Sequence, residues 1–204
     1  MQKKIFEDIG KGILDNAWKG YNATLFAYGQ TGSGKSWSVV GYGQNKGIVP
    51  MLANQLFAGI REGREGTTFE VKLSMLEIYN EVARDLLDAK STGKKQGLKI
   101  RQHPKKGFYG KYLLKNKYFW PQCMVCFLIT ADGLKEYMVG SYEEIDAKIE
   151  EGTVNRTVAS TNMNATSSRA HTIVGITFVQ KTKNNAGKEM AKTAIVNLVD
   201  LAGR

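Results

Sequence analysis

The chain has 204 residues, of which 42% are hydrophobic and 24% charged, a composition ordinary for one globular domain with a buried core. The net charge of +10 favours an acidic partner, whether nucleic acid, an anionic membrane or an acidic protein surface. No stretch is long and apolar enough to span a membrane, and the N-terminal MQKKIFEDIG lacks the apolar segment of a signal peptide, so a cytoplasmic protein is expected.

The first predicted unit is a strand, a glycine-rich loop and a helix. Residues 23–28 are a short apolar run that ends at a glycine, which is typical of a buried strand, and Lys35 onward favours a helix. The loop between them, GQTGSGKS, matches GxxxxGK(S/T): its glycines let backbone N–H groups surround phosphates, Lys35 adds a charge, and Ser36 offers a hydroxyl to Mg²⁺. A merely flexible glycine loop fits this flanking context poorly. The predicted nucleotide-binding residues are Gly29, Gln30, Thr31, Gly32, Ser33, Gly34, Lys35 and Ser36.

The later elements indicate an α/β layered fold without an internal repeat. Residues 69–79, FEVKLSMLEIY, alternate as a half-buried strand does, and residues 80–88 then switch towards helical spacing. Residues 141–152 begin with a serine cap and early acids and end at a glycine, which predicts a helix. Residues 172–182 and 192–201 predict two further strands, joined by the turn-like KNNAGKE. Mixed strands and helices predict the layered fold.

Two polar segments supply what hydrolysis needs besides a phosphate loop. AIVNLVDLAG places Asp200 at the end of a buried strand, where an acid can reach the shell of Mg²⁺, and Gly203 has an N–H that can contact a γ-phosphate. NATSSRAH, residues 164–171, sets two serine hydroxyls beside an arginine, which suits a metal ligand and a water-positioning group. Either segment alone is typical of a capped turn. Together with the phosphate loop, they predict a hydrolytic site.

FAYGQTGSGKS, NATSSRAH and DLAG together resemble the phosphate loop, first switch and second switch of the kinesin motor domain. IFEDIGKGILDNAWKGYN, GIVP, MLEIYNEVARDLL and RTVASTNMN are similar to the segments between them, so residues 1–204 resemble a partial motor domain. TNMNATSSRAH with IRQHPKKGFY is most similar to the third, vesicle-transporting kinesin class. The resemblance implies a three-layer P-loop NTPase fold, with a central mixed sheet and helices on both faces, incomplete at both ends. It also implies a coiled coil in the full-length protein.

The resemblance implies ATP and Mg²⁺ as cofactors and assigns the site residues. The implied catalytic residues are Ser167, Ser168, Arg169 and Gly203, and the implied Mg²⁺ residues are Ser36, Ser168 and, through water, Asp200. In kinesins the arginine pairs with a glutamate shortly after the second-switch glycine, whereas here the sequence reads DLAGR. We therefore expect a fragment in which nucleotide binding outlasts hydrolysis.

The basic segment GKKQGLKIRQHPKKG has an expected partner in the acidic surface of microtubules, although a merely solvated loop is the alternative. The candidate contact residues are Lys99, Arg101, His103, Lys105 and Lys106. No strand interleaves basic and aromatic residues, so no nucleic-acid partner is expected, and no direct membrane contact either. The resemblance implies an ATP-hydrolysing microtubule motor domain in the cytoplasm, on the cytoskeleton. The alternative is a nucleotide- or microtubule-binding fragment that does not hydrolyse ATP.

Residues 118–130, YFWPQCMVCFLIT, hold both cysteines and fit this family poorly. By themselves they are typical of a buried strand, half a zinc site or a redox pair. The kinesin pattern, however, runs from GFY directly into ADGLKEY, which makes residues 110–130 an insertion. Codons for Gly110-Lys-Tyr can contain GTAAGTA, codons for Thr130-Ala131 can contain the terminal AG of an intron, and their removal restores GFYADGLK in frame. We therefore predict that residues 110–130 are a translated intron.

Overall fold

The computed structural model describes residues 2–63, 65–88, 97–100, 131–162, 169–183 and 187–203, and it confirms a mixed α/β fold. The helices are α1 Gln2–Ile5, a π-helical turn Phe6–Gly10, α2 Lys11–Lys19, α3 Lys35–Val39, α4 Ile48–Glu62 and α5 Tyr142–Asn162. The strands are β1 Ala23–Ala27, β2 Gly41–Tyr42, β3 Asn45–Lys46, β4 Thr67–Tyr79, β5 Val82–Asp85, β6 Lys99–Ile100, β7 Ala131–Asp132, β8 Tyr137–Val139, β9 Ala170–Lys183 and β10 Glu189–Asp200. Of the helices in these ranges, none is both long and apolar enough to cross a bilayer.

The main sheet is mixed, with strand order β1-β10-β9-β4-β5 and β8 paired with β4. β1 runs parallel to β10, while β10 with β9, β9 with β4, and β4 with β5 are antiparallel. The strands predicted at residues 23–28, 69–79, 172–182 and 192–201 are therefore confirmed as β1, β4, β9 and β10. Because Ala27 is aligned with Asp200, the carboxyl ends of β1 and β10 lie side by side, and the loops that leave them share one edge of the sheet.

The larger core cluster lies between one face of the sheet and the helices. Alternate residues of β4, β9 and β10 point to this face, as the period of two in a strand requires. Its strand members include Val71, Leu73, Met75, Val174, Ile176, Phe178, Ala194, Val196 and Leu198, and its helical members include Leu14, Leu52, Leu56, Ile145 and Ile149. The smaller cluster, on the opposite face, consists of Leu76, Ile78, Ala83, Ile173, Val199 and Leu201. In the described core, the helical side chains thus pack on one face of the sheet. A helical layer on the opposite face stays a prediction.

The helical spacing predicted for residues 80–88 is wrong, because part of this segment is strand β5. Asn80 and Glu81 have φ angles of 47° and 64°, and Tyr79 is aligned with Val82, so the two residues form a tight hairpin turn. Two consecutive residues with positive φ match the right-handed twist of antiparallel strands. The signal was the asparagine at the turn, whereas nine residues were too few for helical periodicity to decide.

The helix predicted at residues 141–152 begins where expected and ends later. Ser141 Oγ accepts a hydrogen bond from the N–H of Glu144 at 3.3 Å, which confirms the serine cap. The predicted end at Gly152 is wrong, because α5 continues to Asn162. A Cβ atom on Gly152 would lie 2.3 Å from Met75 Sδ, so this glycine permits close packing of α5 on β4 and does not end the helix.

Candidate functional site

The predicted phosphate loop lies between β1 and α3, at the sheet edge where β10 also ends. Gly32 and Gly34 have φ angles of 80° and 87°, in the left-handed region that favours glycine. A Cβ atom on either residue would have no neighbour within 4 Å, so backbone conformation, and not lack of space, requires glycine there. The loop thus has the backbone freedom that wrapping around an anion needs.

Lys35 is the first residue of α3, and its side chain folds back over the loop. Its Nζ donates hydrogen bonds to the carbonyl oxygens of Gly29, at 2.9 Å, and Gln30, at 2.8 Å. An ammonium group has three donors and no acceptor. An anion bound at the loop would therefore meet a charged donor that neutral oxygens already hold in position.

Ser36 and Asp200 are in direct contact, although 164 residues separate them in the sequence. Ser36 Oγ donates a hydrogen bond to Asp200 Oδ2. Asp200 is only 5% exposed, and its other oxygen, Oδ1, is buried without a hydrogen-bond partner among the residues that the structure describes. Because a buried carboxylate oxygen without a partner is unfavourable, this oxygen fits a cation or a water that a cation binds.

The residues around Asp200 fit Mg²⁺ better than a metal held by protein alone. Within the described ranges, no group of three or more His, Cys, Asp or Glu side chains could hold a metal ion. Mg²⁺ is commonly bound by one or two carboxylates together with water and the phosphates of a substrate. One buried carboxylate beside one hydroxyl, next to a phosphate loop, has that composition.

Gly203 lies against the phosphate loop. The N–H of Leu201 donates a hydrogen bond to the carbonyl oxygen of Ala27 at 3.2 Å, which continues the alignment of the two strand ends. A Cβ atom on Gly203 would lie 2.2 Å from Thr31 Oγ1 and 2.9 Å from the backbone nitrogen of Thr31. The structure therefore brings together the loop and the DLAG segment, and it adds close packing as a reason for glycine at position 203.

His171 joins the start of β9 to the DLAG segment, a contact that sequence reasoning did not find. Its Nδ1 accepts a hydrogen bond from the N–H of Ala202 at 3.0 Å. Burial lowers the pKa of His171, and the negative charge of Asp200 acts in the opposite direction. A neutral imidazole is the form that can accept this hydrogen bond.

The remaining predicted site residues are only partly described. Arg169 is exposed and directly precedes β9. Six other predicted site residues lie outside the described part of the chain: Ser167, Ser168, Arg101, His103, Lys105 and Lys106. Lys99 belongs to β6, but its side chain is not among those described. The insertion at residues 110–130, with both cysteines, also lies outside them, so these assignments stay predictions.

Sequence reasoning missed three charged residues that are linked to Asp200: Glu77 and Arg84, which are buried, and Arg156, which is partly buried. Arg156 Nη1 lies 4.0 Å from Asp200 Oδ2, and Arg156 Nε lies 3.5 Å from Glu77 Oε1. Arg84 Nη1 lies 4.0 Å from Glu77 Oε2. Burial raises the pKa of Glu77, while Arg156 and then Arg84 act in the opposite direction. The available signal was Glu77 itself, a charge in the otherwise apolar run MLEIY at the buried end of β4.

Comparison with known proteins decides the family. The model of the kinesin motor domain matches residues 1–118 and 126–204. The chain belongs to the kinesin motor domain family. Residues 119–125, between the two matched spans, fall within the predicted insertion at 110–130, whose limits stay a prediction.

Several kinesins are similar to this chain over almost its whole length. It is 43% identical over 203 residues to kinesin-like protein KIF28 of Mus musculus, covering 99% of this chain and 17% of that protein. It is 42% identical over 207 residues to kinesin-like protein KIF13A of Homo sapiens, covering 99% of this chain and 10% of that protein. The chain thus spans less than a fifth of these curated relatives, and its kinesin class stays a prediction.

A solved structure described as that of a fast kinesin confirms the fold. It is 33% identical to this chain and has a TM-score of 0.82, and the match covers 99% of this chain and 50% of the solved one. The predicted P-loop NTPase fold with a central mixed sheet is therefore confirmed, and this chain spans half the length of the solved chain.

Proposed function

We propose that this kinesin chain is the ATP-binding part of a motor domain that hydrolyses ATP and moves along microtubules. The observation that carries the proposal is the meeting of Ser36 with Asp200 at the sheet edge, beside a phosphate loop whose lysine is already in place. Binding a nucleotide triphosphate with Mg²⁺ needs these three parts together.

The site residues divide the work by their chemistry. The backbone of residues 29–36 binds the phosphates, and Lys35 carries the charge that opposes them. Ser36 and Ser168, with Asp200 through water, would hold Mg²⁺, which when bound would neutralise charge on the phosphate oxygens. Ser167 positions the attacking water, and the N–H of Gly203 contacts the γ-phosphate. Arg169 is proposed to close the site around that phosphate.

Nucleotide binding is tested by titrating a fluorescent ATP analogue into the wild type and Lys35→Ala. Removing the cation whose Nζ hydrogen-bonds the loop is expected to weaken binding at least tenfold, because hydrogen bonds from charged donors contribute about 1.5–3 kcal/mol. The matched control is Lys11→Ala, at the exposed first residue of α2, which is expected to bind as the wild type does. Equal affinity of wild type and Lys35→Ala would contradict the nucleotide site.

Microtubules are the proposed partner, and the protein is proposed to act in the cytoplasm, on the cytoskeleton. The proposal rests on family membership together with the net charge of +10. The proposed contacts include Lys99, Arg101, His103, Lys105 and Lys106, and neither nucleic acid nor a membrane is proposed as a direct partner. Two assays on the natural full-length protein test this proposed partner: co-sedimentation with microtubules, and phosphate release in their presence and absence. Binding without microtubule-stimulated phosphate release would favour a fragment that does not hydrolyse ATP.

A further inference from the structure

Four polar residues form one row across the sheet, here called the polar row. Asp200 of β10 is aligned with Thr172 of β9, Thr172 with Glu77 of β4, and Glu77 with Arg84 of β5. Aligned residues on neighbouring strands point to the same face. Because neighbouring strands lie about 4.8 Å apart, Asp200 and Glu77 stand about 10 Å apart, with Thr172 between them.

The polar row lies on the face that α5 covers. Asp200 follows Leu198 by two residues, and Glu77 follows Met75 by two, so the row continues the face of the larger core cluster. α5 contributes Ile145 and Ile149 to that cluster. A long side chain from α5 can therefore reach the row from above.

Arg156 of α5 is that side chain, and it spans the two acids. Its Nε lies 3.5 Å from Glu77 Oε1, and its Nη1 lies 4.0 Å from Asp200 Oδ2. A guanidinium group presents donors along separate edges of a rigid plane, so one arginine can serve two carboxylates. A lysine ammonium is a single point charge and cannot span them in the same way.

At Glu77 the bridge meets a second arginine, Arg84. The Glu77 and Arg84 side chains are each 6% exposed, and Arg84 Nη1 lies 4.0 Å from Glu77 Oε2. A buried carboxylate is unfavourable unless cations lie close to it, so Glu77 needs both arginines. The pairing with Glu77 places the guanidinium of Arg156 against the sheet, with its Nη1 towards Asp200.

The hydroxyl of Ser36 and the guanidinium of Arg156 approach the same oxygen of Asp200. Ser36 Oγ donates to Oδ2, and Arg156 Nη1 faces Oδ2, whereas Oδ1 is buried without a partner in the part of the chain that the structure describes. Contacts with Oδ2 from two sides favour one orientation of the carboxylate. Oδ1 therefore keeps one direction, which suits an oxygen that must meet a cation already bound to phosphates.

On the basis of the proposed function, we propose that Arg156 and Glu77 are positioning residues for the carboxylate of Asp200, which would hold Mg²⁺ through water. Arg156 acts by fixing the orientation of Asp200, and Glu77 acts by fixing Arg156. Neither residue touches the nucleotide. A purely structural role would make both residues necessary for thermal stability and irrelevant to how strongly Mg²⁺ promotes nucleotide binding.

The test measures the Kd for a fluorescent ADP analogue in excess Mg²⁺ and in EDTA. The ratio of the EDTA value to the Mg²⁺ value reports how strongly the metal promotes binding. Loss of a group that orients a metal ligand typically costs 10- to 100-fold in metal affinity, so Arg156→Lys is expected to reduce this ratio roughly tenfold. Its Kd in EDTA is expected to stay close to that of the wild type.

Glu77→Gln tests the second step with an isosteric change that removes one buried charge. It is expected to reduce the ratio in the same direction, and the double variant is expected to lose no more than Arg156→Lys alone, because Glu77 acts through Arg156. Arg61→Lys is the matched control, since Arg61 is an exposed arginine of α4, and its ratio is expected to be that of the wild type. Thermal melting of each variant shows that the protein compared is folded.

The outcomes separate this proposal from the proposed function. A wild type that does not bind ADP, or binds it equally with and without Mg²⁺, refutes both. A wild-type ratio that Arg156→Lys and Glu77→Gln leave unchanged refutes the positioning role alone, even if both variants melt at lower temperature. Additive losses in the double variant would refute the step from Glu77 through Arg156. If Arg156→Lys does not fold, the ratio of Glu77→Gln decides.

Discussion

Replacing Gly203 with alanine would place a methyl carbon 2.2 Å from Thr31 Oγ1, 2.9 Å from its backbone nitrogen and 3.0 Å from its Cα. Carbon atoms make favourable contacts at about 3.5–4.0 Å, so the separations between the new methyl carbon and these Thr31 atoms are too short by roughly an ångström. The Thr31 side chain can rotate away, but its backbone belongs to the phosphate loop. Gly203→Ala must therefore move the loop, the DLAG segment or both.

The expected magnitude follows from the cost of inserting a methyl group into a packed site, about 1–3 kcal/mol. If the loop absorbs the displacement, affinity for ADP with Mg²⁺ falls roughly 5- to 150-fold, because 1.4 kcal/mol corresponds to about tenfold. Titration of a fluorescent ADP analogue measures this change. Thr31→Ala removes the Oγ1 contact at 2.2 Å and leaves the backbone contacts, so in that background Gly203→Ala should cost measurably less.

Gly12→Ala is the control for this prediction. A Cβ atom on Gly12, within α2, would have no neighbour within 4 Å. Because glycine is less favourable than alanine inside a helix, this change should stabilise the protein by about 0.5–1 kcal/mol and leave ADP affinity unchanged. Wild-type affinity in Gly203→Ala, or an equal loss in the presence and absence of the Thr31 hydroxyl, would refute the reasoning from close packing.

Two further predictions concern His171 and residues 110–130. Burial lowers the pKa of His171 below its ordinary value of 6.5, so the unfolded chain binds the proton more tightly. The contribution of neutral His171 to stability is complete above about pH 6.5 and is lost as the pH falls below that value. From pH 7.5 to 5.5, the melting temperature should therefore drop by more in the wild type than in His171→Gln. Equal drops in the two proteins would contradict this role of His171. For residues 110–130, we expect transcripts that encode GFYADGLK and tryptic peptides that contain it. An abundant natural peptide that includes YFWPQCMVCFLIT would refute the prediction that these residues are a translated intron.

The structure on either side of residues 110–130 is compatible with their removal, which stays a prediction. Ile100 is aligned with Ala131, and Lys99 with Asp132, in the antiparallel pair β6 and β7. Without residues 110–130, residues 101–109 would still connect these two strands, and a connection of that length can close an antiparallel pair. The short form of the protein is therefore compatible with the described pairing.

The sequence by itself determined the elements whose signal is local. The spacing of GQTGSGKS between an apolar run and a helix was enough to locate the phosphate loop, because left-handed glycines and a lysine are required at fixed positions there. The long alternating strands β4, β9 and β10 were also predictable, since a period of two over many residues leaves little choice of face. The family followed from three such local motifs in order.

The tertiary structure alone decided how distant residues meet. The continuation of α5 through Gly152 depends on close packing against Met75 of β4, which lies far away in the chain, so the glycine alone wrongly predicted the end of the helix. The hairpin turn at Asn80 and Glu81 is local, but nine residues were too few to distinguish it from helical spacing. Nothing local in the sequence aligns Glu77, Thr172 and Asp200, because strand register is set by neighbouring strands. The bridge from Glu77 through Arg156 to Asp200 exists only once that register has formed.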